Sequence, residues 1–145
     1  MVVGPSTLSA DLQTIKNSDV FSDVIFKVNN TSFFGHKAIF YARKHLLPCV
    51  FSSFEWLESN QKEEVSLNMS EALFRDILDF VYINKKSEAV NSYFKENGHT
   101  VENEDIGTSF EKLLGNTLYS DISFLVDQQL IPAHKACMFF KCFFC

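Results

Sequence analysis

Three of the four cysteines lie close together in the sequence, and thiol or metal chemistry would be expected there first. Cys142 and Cys145 form a CxxC pair, and Cys137 precedes them. Such a pair can lower a thiol pKa at a helix N-terminus, as in redox proteins, or supply half of a zinc site. Here the flanking residues are apolar and aromatic, which disfavours a thiolate, and no second pair accompanies it. We expect reduced thiols without a redox or metal role. A thiol or zinc protein remains the rival from another functional class.

A histidine followed by lysine occurs twice, at His36-Lys37 and His134-Lys135. A repeated histidine could indicate metal or acid–base chemistry, but a metal site needs several ligands. No Cys, Asp or His stands at ligand spacing in the first copy. We therefore expect a packed histidine that makes a hydrogen bond near a helix start.

Asp23 and Lys37 are the charged pair most suited to an interaction between two elements. A carboxylate at a strand start and an ammonium at a helix start could meet across a hairpin. Neither residue has a nucleophile–base arrangement around it, so we expect no catalysis. The sequence thus predicts no enzyme, no catalytic, cofactor or metal residues, and no small-molecule substrate. An ordinary surface pair is the plain alternative.

Composition narrows the partners and the compartment. The chain of 145 residues has a formal charge of −5, which makes nucleic acid a poor partner. It shows neither a signal-peptide pattern nor an apolar run long enough to cross a membrane, so we expect a cytoplasmic or nuclear protein without a membrane partner. There are 16 phenylalanines, and excess apolar surface often marks a binding face.

An internal repeat organises the sequence. Residues 21–38 align with residues 119–136 without a gap, at an offset of 98 positions. We call these the first and second copies. The match continues upstream, where Leu12 pairs with Phe110 and Ile15 with Leu113. A repeat of this length is a whole small domain and not a solenoid unit.

The spacing of apolar residues predicts the elements. Helices are expected at 7–17, 36–43, 46–57 and 70–83, with Ser70 capping the last. Strands are expected at 24–28, 31–34 and 64–67, the first two joined by an Asn29-Asn30 turn. Residues 84–103 are rich in Asn, Lys and Glu and are expected to be a linker. The helix–strand–strand–helix order then begins again.

These elements resemble the BTB/POZ domain family. The resemblance rests on three stretches: 22–26 (SDVIF) with 35–40 (GHKAIF), then 42–51, and then 65–67 with 74–82. It implies an α+β fold, a small sheet with a β-hairpin covered by a cluster of helices. The domains expected are 6–84 for the first copy, a polar linker at 85–103, and the incomplete start of a second copy at 104–145. The usual C-terminal helices of the family are not evident in 84–103.

The resemblance also implies how the chain binds partners. In this family the leading helix and a charged pocket lie at a dimer interface. The residues here that correspond to that homo- or heterodimer surface are Leu8, Leu12, Ile15, Asp23 and Lys37. Packing of the helix stripe on its own domain is the alternative.

A second contact is implied with cullin-3, the scaffold of a ubiquitin ligase. Family members dock on it through a hydrophobic-x-Glu motif, which Trp56-Leu57-Glu58 fits here. The contact residues that the resemblance implies are Phe54, Trp56 and Glu58. An exposed aromatic beside acidic residues is typical of a binding hot spot. The alternative is that Trp56 fills a gap in the core. The function expected is self-association and a substrate-adaptor role for a cullin-3 ligase. A plain oligomerisation scaffold, or a truncated isoform without independent function, remains open.

Overall fold

Alternating apolar residues build the first hairpin. The computed structural model describes residues 12–111, 113 and 122–133. Strand β1 spans Val24–Val28 and pairs antiparallel with strand β2, Thr31–Gly35, so that Phe26 lies opposite Phe33. Asn29 begins the turn at φ 54°, a left-handed conformation that asparagine tolerates. The predicted hairpin is confirmed.

A crossover then completes the sheet. Helix α1 spans Lys37–Arg43, and strand β3, Glu63–Leu67, pairs parallel to β1, which gives the strand order β2-β1-β3. The helix predicted at 46–57 is wrong. That stretch is mostly irregular. It begins at the last residue of the 3-10 turn Lys44–Leu46 and ends with a second 3-10 turn, Glu55–Leu57. Its apolar residues face the core from an irregular path.

Helix α2, Glu71–Ile83, forms as predicted. The Ser70 hydroxyl accepts a hydrogen bond from the backbone N–H of Leu73 at 3.1 Å, which satisfies one of the unpaired donors at the helix start. Asn84 ends the helix at φ 58°. This left-handed residue returns its N–H to the last turn.

The stretch expected to be a polar linker contains helix α3, Glu88–Glu96. The Ser87 hydroxyl caps it, and Val90 and Phe94 are fully buried. The rings of Phe80 and Phe94 meet edge to face with 6.1 Å between centroids, so the helix packs on α2. Two apolar positions one turn apart suffice to anchor a short helix whose other residues stay in water. The linker interpretation is therefore corrected over these residues.

Two further elements follow. Helix α4, Ile106–Glu111, packs against α1. Strands β4, Ile122–Val126, and β5, Gln129–Ala133, form an antiparallel hairpin, as the repeat predicts. Together with the three-stranded sheet and its helices, this confirms the α+β class.

The core of the first copy is aromatic. Phe26 on the central strand contacts four rings, with centroid separations from 5.0 to 5.7 Å. The rings are those of Phe40, Phe51, Trp56 and Phe74. Most of the described phenylalanines are buried, so the high phenylalanine content serves the interior more than a binding face. Among the residues that the structure describes, the large apolar side chains exposed to water are those of Val20 and Phe21.

Candidate interaction surface

The described part of the N-terminal helix packs on its own domain. Residues 12–15 are helical, and Leu12 and Ile15 are 0% and 1% exposed. An ion pair between Lys16 and Asp79 ties this segment to α2. Leu8, the first residue of the predicted stripe, lies outside the described residues. The alternative reading, in which the stripe packs on its own domain, therefore holds for Leu12 and Ile15.

Lys37 is buried, with 1% exposure, although it carries a charge. Its Nζ donates to the carbonyl oxygens of Ser59 at 2.9 Å and Gln61 at 2.6 Å. Burial lowers the pKa of Lys37, while the carboxylates of Asp23 and Glu63 oppose that shift. The ammonium therefore fixes the loop before β3 to the start of α1.

Asp23 braces the same helix start in a different way. Its Oδ1 accepts a hydrogen bond from the backbone N–H of Lys37 at 2.7 Å. A carboxylate at this place is favoured because the first N–H groups of a helix lack partners within it. Asp23 stays partly accessible, whereas Lys37 does not. The structure thus brings the two predicted residues together at one helix end.

His36 is held from both ring nitrogens. Nδ1 lies 2.7 Å from the Tyr82 hydroxyl and Nε2 lies 2.8 Å from the carbonyl oxygen of Val20. The hydroxyl also accepts from the backbone N–H of His36 at 3.1 Å. The consistent assignment is a neutral ring, in which Nε2–H donates to Val20 and Nδ1 accepts from Tyr82. Burial lowers the pKa of His36, opposed by the hydrogen bond to Val20. The packed histidine is confirmed.

Val20 and Phe21 form an exposed apolar pair two residues before β1. They are 44% and 47% exposed, and Phe21 has φ 58°. A positive φ is costly for a bulky L-residue and needs external restraint. The restraint comes from a turn in which Ser22 N–H donates to the Asp19 carbonyl at 3.1 Å, and from the contact of His36 with Val20. We call Val20 and Phe21 the apolar pair.

The sequence interpretation did not select the apolar pair. The signal that could have found it is its place between two elements. It lies after Ile15, the last apolar residue of the N-terminal helix, and before Val24, the first inward residue of β1. It therefore belongs neither to the buried face of the helix nor to the buried face of the strand.

Trp56 is not the exposed aromatic that its acidic neighbours indicated. It is 7% exposed and packs on Phe26, Phe40 and Phe51 with centroid distances between 5.1 and 5.7 Å. Its Nε1 is buried and has no hydrogen-bond partner among the described residues. The tight turn Glu55–Leu57 directs the ring inward, so the reading of Trp56 as a core residue is the one that holds.

The surface around Trp56 is acidic. Glu55 and Glu58 are exposed, and Phe54 is half-buried with its ring 6.4 Å from that of Trp56. Phe54 and Glu58 therefore remain available for a contact, with Trp56 as the support beneath them.

Arg43 is a buried charge that the sequence interpretation did not select. Nη1 donates to Ser109 Oγ at 2.9 Å, Nη2 donates to Asn84 Oδ1 at 2.7 Å, and the guanidinium lies 5.5 Å from the Phe80 ring centroid. Burial lowers the pKa of Arg43 to about 10, opposed by the charges of Glu104 and Asp105. Its hydrogen-bond partners lie far away in the sequence, so no local sequence pattern predicts its burial.

The described residues contain no group of three or more His, Cys, Asp or Glu that could hold a metal ion. Cys137, Cys142 and Cys145 lie outside the described residues. A cleft of about 230 Å³ beside His45 and His99 is smaller than typical small-molecule pockets. Within the described part of the chain, no helix is long and apolar enough to span a bilayer.

Comparison with known proteins shows which protein family the chain matches. The family model of the BTB/POZ domain matches residues 12–98. Among solved structures, the BTB domain of zebrafish PATZ1 is similar at 29% sequence identity and a TM-score of 0.44, over 66% of this chain and 83% of that chain. Comparison with curated proteins finds no match. The matched range extends beyond residue 84 and includes α3.

Proposed function

Because the chain belongs to the BTB/POZ family, whose domains are protein interaction modules that associate with one another, we propose where it self-associates. The proposed surface comprises the apolar pair and the neighbouring parts of the N-terminal helix and the first strand. No chemistry is assigned to this chain. Its role is to hold two copies, or this chain and a related one, in a fixed arrangement.

The exposure of the apolar pair carries this proposal. Val20 and Phe21 present apolar surface to water, and only Ser22 separates them from Asp23 in the sequence. Burying it against a partner gains about 25 cal/mol for each Å² of apolar area, less the cost of ordering two molecules. The hydrogen bond from His36 to Val20 holds the pair in place before binding, which reduces that ordering cost.

The residues expected at the interface then divide by accessibility. Asp23 stays partly accessible and borders the apolar pair. Leu12, Ile15 and Lys37 are buried within the chain and would act as supports that set the position of the helix and strand. Leu8 lies outside the described residues and stays a predicted interface residue.

Phe21→Asn tests this surface without damaging the fold. Asparagine tolerates a positive φ better than phenylalanine, so the variant should be at least as stable as the wild type. Sedimentation equilibrium should show a dissociation constant raised about tenfold or more. Ala89→Asp is the matched control, because it makes an exposed residue polar in the first turn of α3, where a carboxylate is favoured. Unchanged association in Phe21→Asn would place the interface elsewhere.

We also propose an adaptor role toward cullin-3, through Phe54 and Glu58 with Trp56 beneath them. The supporting observation is a half-buried aromatic bordered by two exposed carboxylates. A partner contact of this kind has an apolar anchor and a charged rim.

The test is calorimetric titration of the full chain with the N-terminal region of cullin-3. Glu58→Lys with Phe54→Ala should abolish saturable binding and leave the oligomeric state unchanged. Glu96→Lys reverses a charge on α3 and serves as control. Trp56→Ala is unsuitable because it would open the aromatic core. If the wild-type chain is folded and does not bind, the result favours a plain oligomerisation scaffold. For either role we propose a location in the cytoplasm or nucleus. An unfolded chain would favour a truncated isoform without independent function.

A further inference from the structure

Strand β3 lies at an edge of the three-stranded sheet. The strand order β2-β1-β3 places β1 on one side of it, and no other strand of the described residues pairs on its second side. The N–H of Glu63 donates to the carbonyl oxygen of Asp23 at 3.2 Å, so Glu63 turns its backbone polar groups toward β1. Because successive residues of a strand turn these groups to opposite sides, Glu64 and Ser66 present theirs at the open edge.

The edge at β2 is covered more completely than the edge at β3. There the side-chain oxygen Oδ1 of Asn17 accepts a hydrogen bond from the backbone N–H of Phe34 at 2.8 Å. The inward residues Val65 and Leu67 of β3 are only half-buried, whereas all three inward residues of β1 are fully buried. The open edge of β3 thus leaves both backbone groups and apolar side chains in contact with water. A further strand laid against β3 would cover both.

The sequence of β3 fits a second copy of itself. Two copies that pair antiparallel about Val65 use all five residues of the strand and place each Glu64 opposite Ser66 of the other copy. Glu63 then faces Leu67, so no glutamate faces another glutamate, and like charges directly opposite would disfavour the pairing. Centring the pairing on Glu64 or on Ser66 instead would join only three residues of each strand.

This register also satisfies the polar groups of the open edge. Glu64 and Ser66 become the pair that exchanges both backbone hydrogen bonds, once on each side of the two-fold axis. Lys27 adds a favourable charge, because it lies beside Ser66 in the pairing of β1 with β3. Glu64 of the other copy would stand two strand spacings from Lys27, about 10 Å, with only a small serine between them. The long side chains of lysine and glutamate can span that gap.

We propose that the open edge of β3 is a second self-association surface, which joins two copies of this chain by antiparallel pairing about Val65. Two three-stranded sheets then form one continuous sheet. The surface shares no residue with the apolar pair and does not depend on it. Five paired residues bury little area, so the contact is weak by itself. Association through the apolar pair would strengthen it by raising the local concentration of edges.

Two substitutions of Ser66 in the full chain test the register, because they predict opposite changes. In Ser66→Glu the new carboxylate faces Glu64 of the other copy, and sedimentation equilibrium should show a dissociation constant raised about threefold or more. In Ser66→Lys the facing charges are opposite, and the dissociation constant should fall by a similar factor. The stability of the single chain should change in the reverse sense, since position 66 also lies beside Lys27. A general effect on folding therefore cannot imitate this result.

Ser32 provides the matched controls. It is an exposed serine on β2 that lies beside Lys27 from the other side, and its Oγ accepts from Lys27 Nζ at 3.0 Å. Ser32→Glu and Ser32→Lys make the same changes of net charge next to the same lysine, away from the edge of β3. Both should leave association unchanged. All four variants are also made together with Phe21→Asn and compared with Phe21→Asn alone, which separates this contact from that of the apolar pair.

Amide exchange followed by NMR shows whether the edge itself is paired. In dilute protein the N–H groups of Glu64 and Ser66 should exchange fast, whereas that of Val65, which points toward β1, should exchange slowly. At concentrations where sedimentation shows mostly associated chains, exchange at Glu64 and Ser66 should slow about fivefold or more. Protection at every concentration would mean that another segment of the chain covers the edge. That result, fast exchange at every concentration, or a shift of the dissociation constant in the same direction for both Ser66 variants would overturn the proposal.

Discussion

Tyr82→Phe should cost far more stability than the loss of one hydroxyl usually does. The hydroxyl of this fully buried residue serves two groups of His36, the backbone N–H at 3.1 Å and the ring Nδ1 at 2.7 Å. His36 is the residue before α1, so its orientation determines how the helix leaves β2. The substitution keeps the ring and removes only the oxygen.

The expected cost follows from what is left unpaired. A buried polar group without a partner costs about 1–3 kcal/mol, and both the N–H and Nδ1 lose theirs. Removing the hydroxyl saves the cost of burying it, so the net destabilisation should be about 2–4 kcal/mol. For a domain of this size that corresponds to a fall in Tm on the order of 15 °C.

Urea denaturation at pH 7.5 measures this change. Trp56 is the sole tryptophan and lies in the aromatic core, so its fluorescence reports unfolding of the first copy. Tyr93→Phe is the matched control, because its hydroxyl donates to the Cys49 carbonyl at 3.2 Å from a half-buried position. That variant should lose less than about 1 kcal/mol. If the two variants lose equal stability, the double role of the Tyr82 hydroxyl is refuted.

Three further outcomes follow from the same region. The lowered pKa of His36 means that the unfolded chain binds the proton more readily. Stability should therefore be full above about pH 6.5 and fall as the pH drops below that value, a dependence that His36→Gln should reduce in urea titrations at several pH values. Gly35→Ala should lose about 1–3 kcal/mol in the same assay, because the added Cβ would lie 2.5 Å from Phe26 Cε2; wild-type stability would mean that the ring can move aside. Lys37→Met should lose about 2–4 kcal/mol, since the carbonyls of Ser59 and Gln61 lose a charged donor. If calorimetry shows that the Lys37→Met variant is as stable as the wild type, then removing the buried charge offsets the loss of its hydrogen bonds.

The elements that the sequence predicted correctly carry their signals locally. The β1–β2 hairpin alternates in its inward residues and turns at Asn29, and α2 has both a serine cap and a long apolar stripe. These features act over a few residues and do not depend on the rest of the fold. The same locality explains why the second hairpin could be predicted from the first.

The features that were missed depend on distant partners. Helix α3 has few apolar positions, and its burial depends on Phe80 in another helix. Whether Trp56 faces water or the core is decided by the rings of Phe26 and Phe40, since an irregular segment has no period to read. Arg43 is buried because Ser109, 66 positions away, accepts its hydrogen bond.

The strand order β2-β1-β3 also sets an order in time. The hairpin closes over a two-residue turn, an event of about 1–10 µs in isolated hairpins, whereas β3 can pair with β1 only after the whole segment between β2 and β3 has been folded back. Closing the longer loop has the larger entropic cost, so it should follow. Trp56 lies within that segment, and its ring reaches Phe26 only when the crossover is complete. Its fluorescence in refolding experiments should therefore follow the slow step of the first copy and not the initial hairpin.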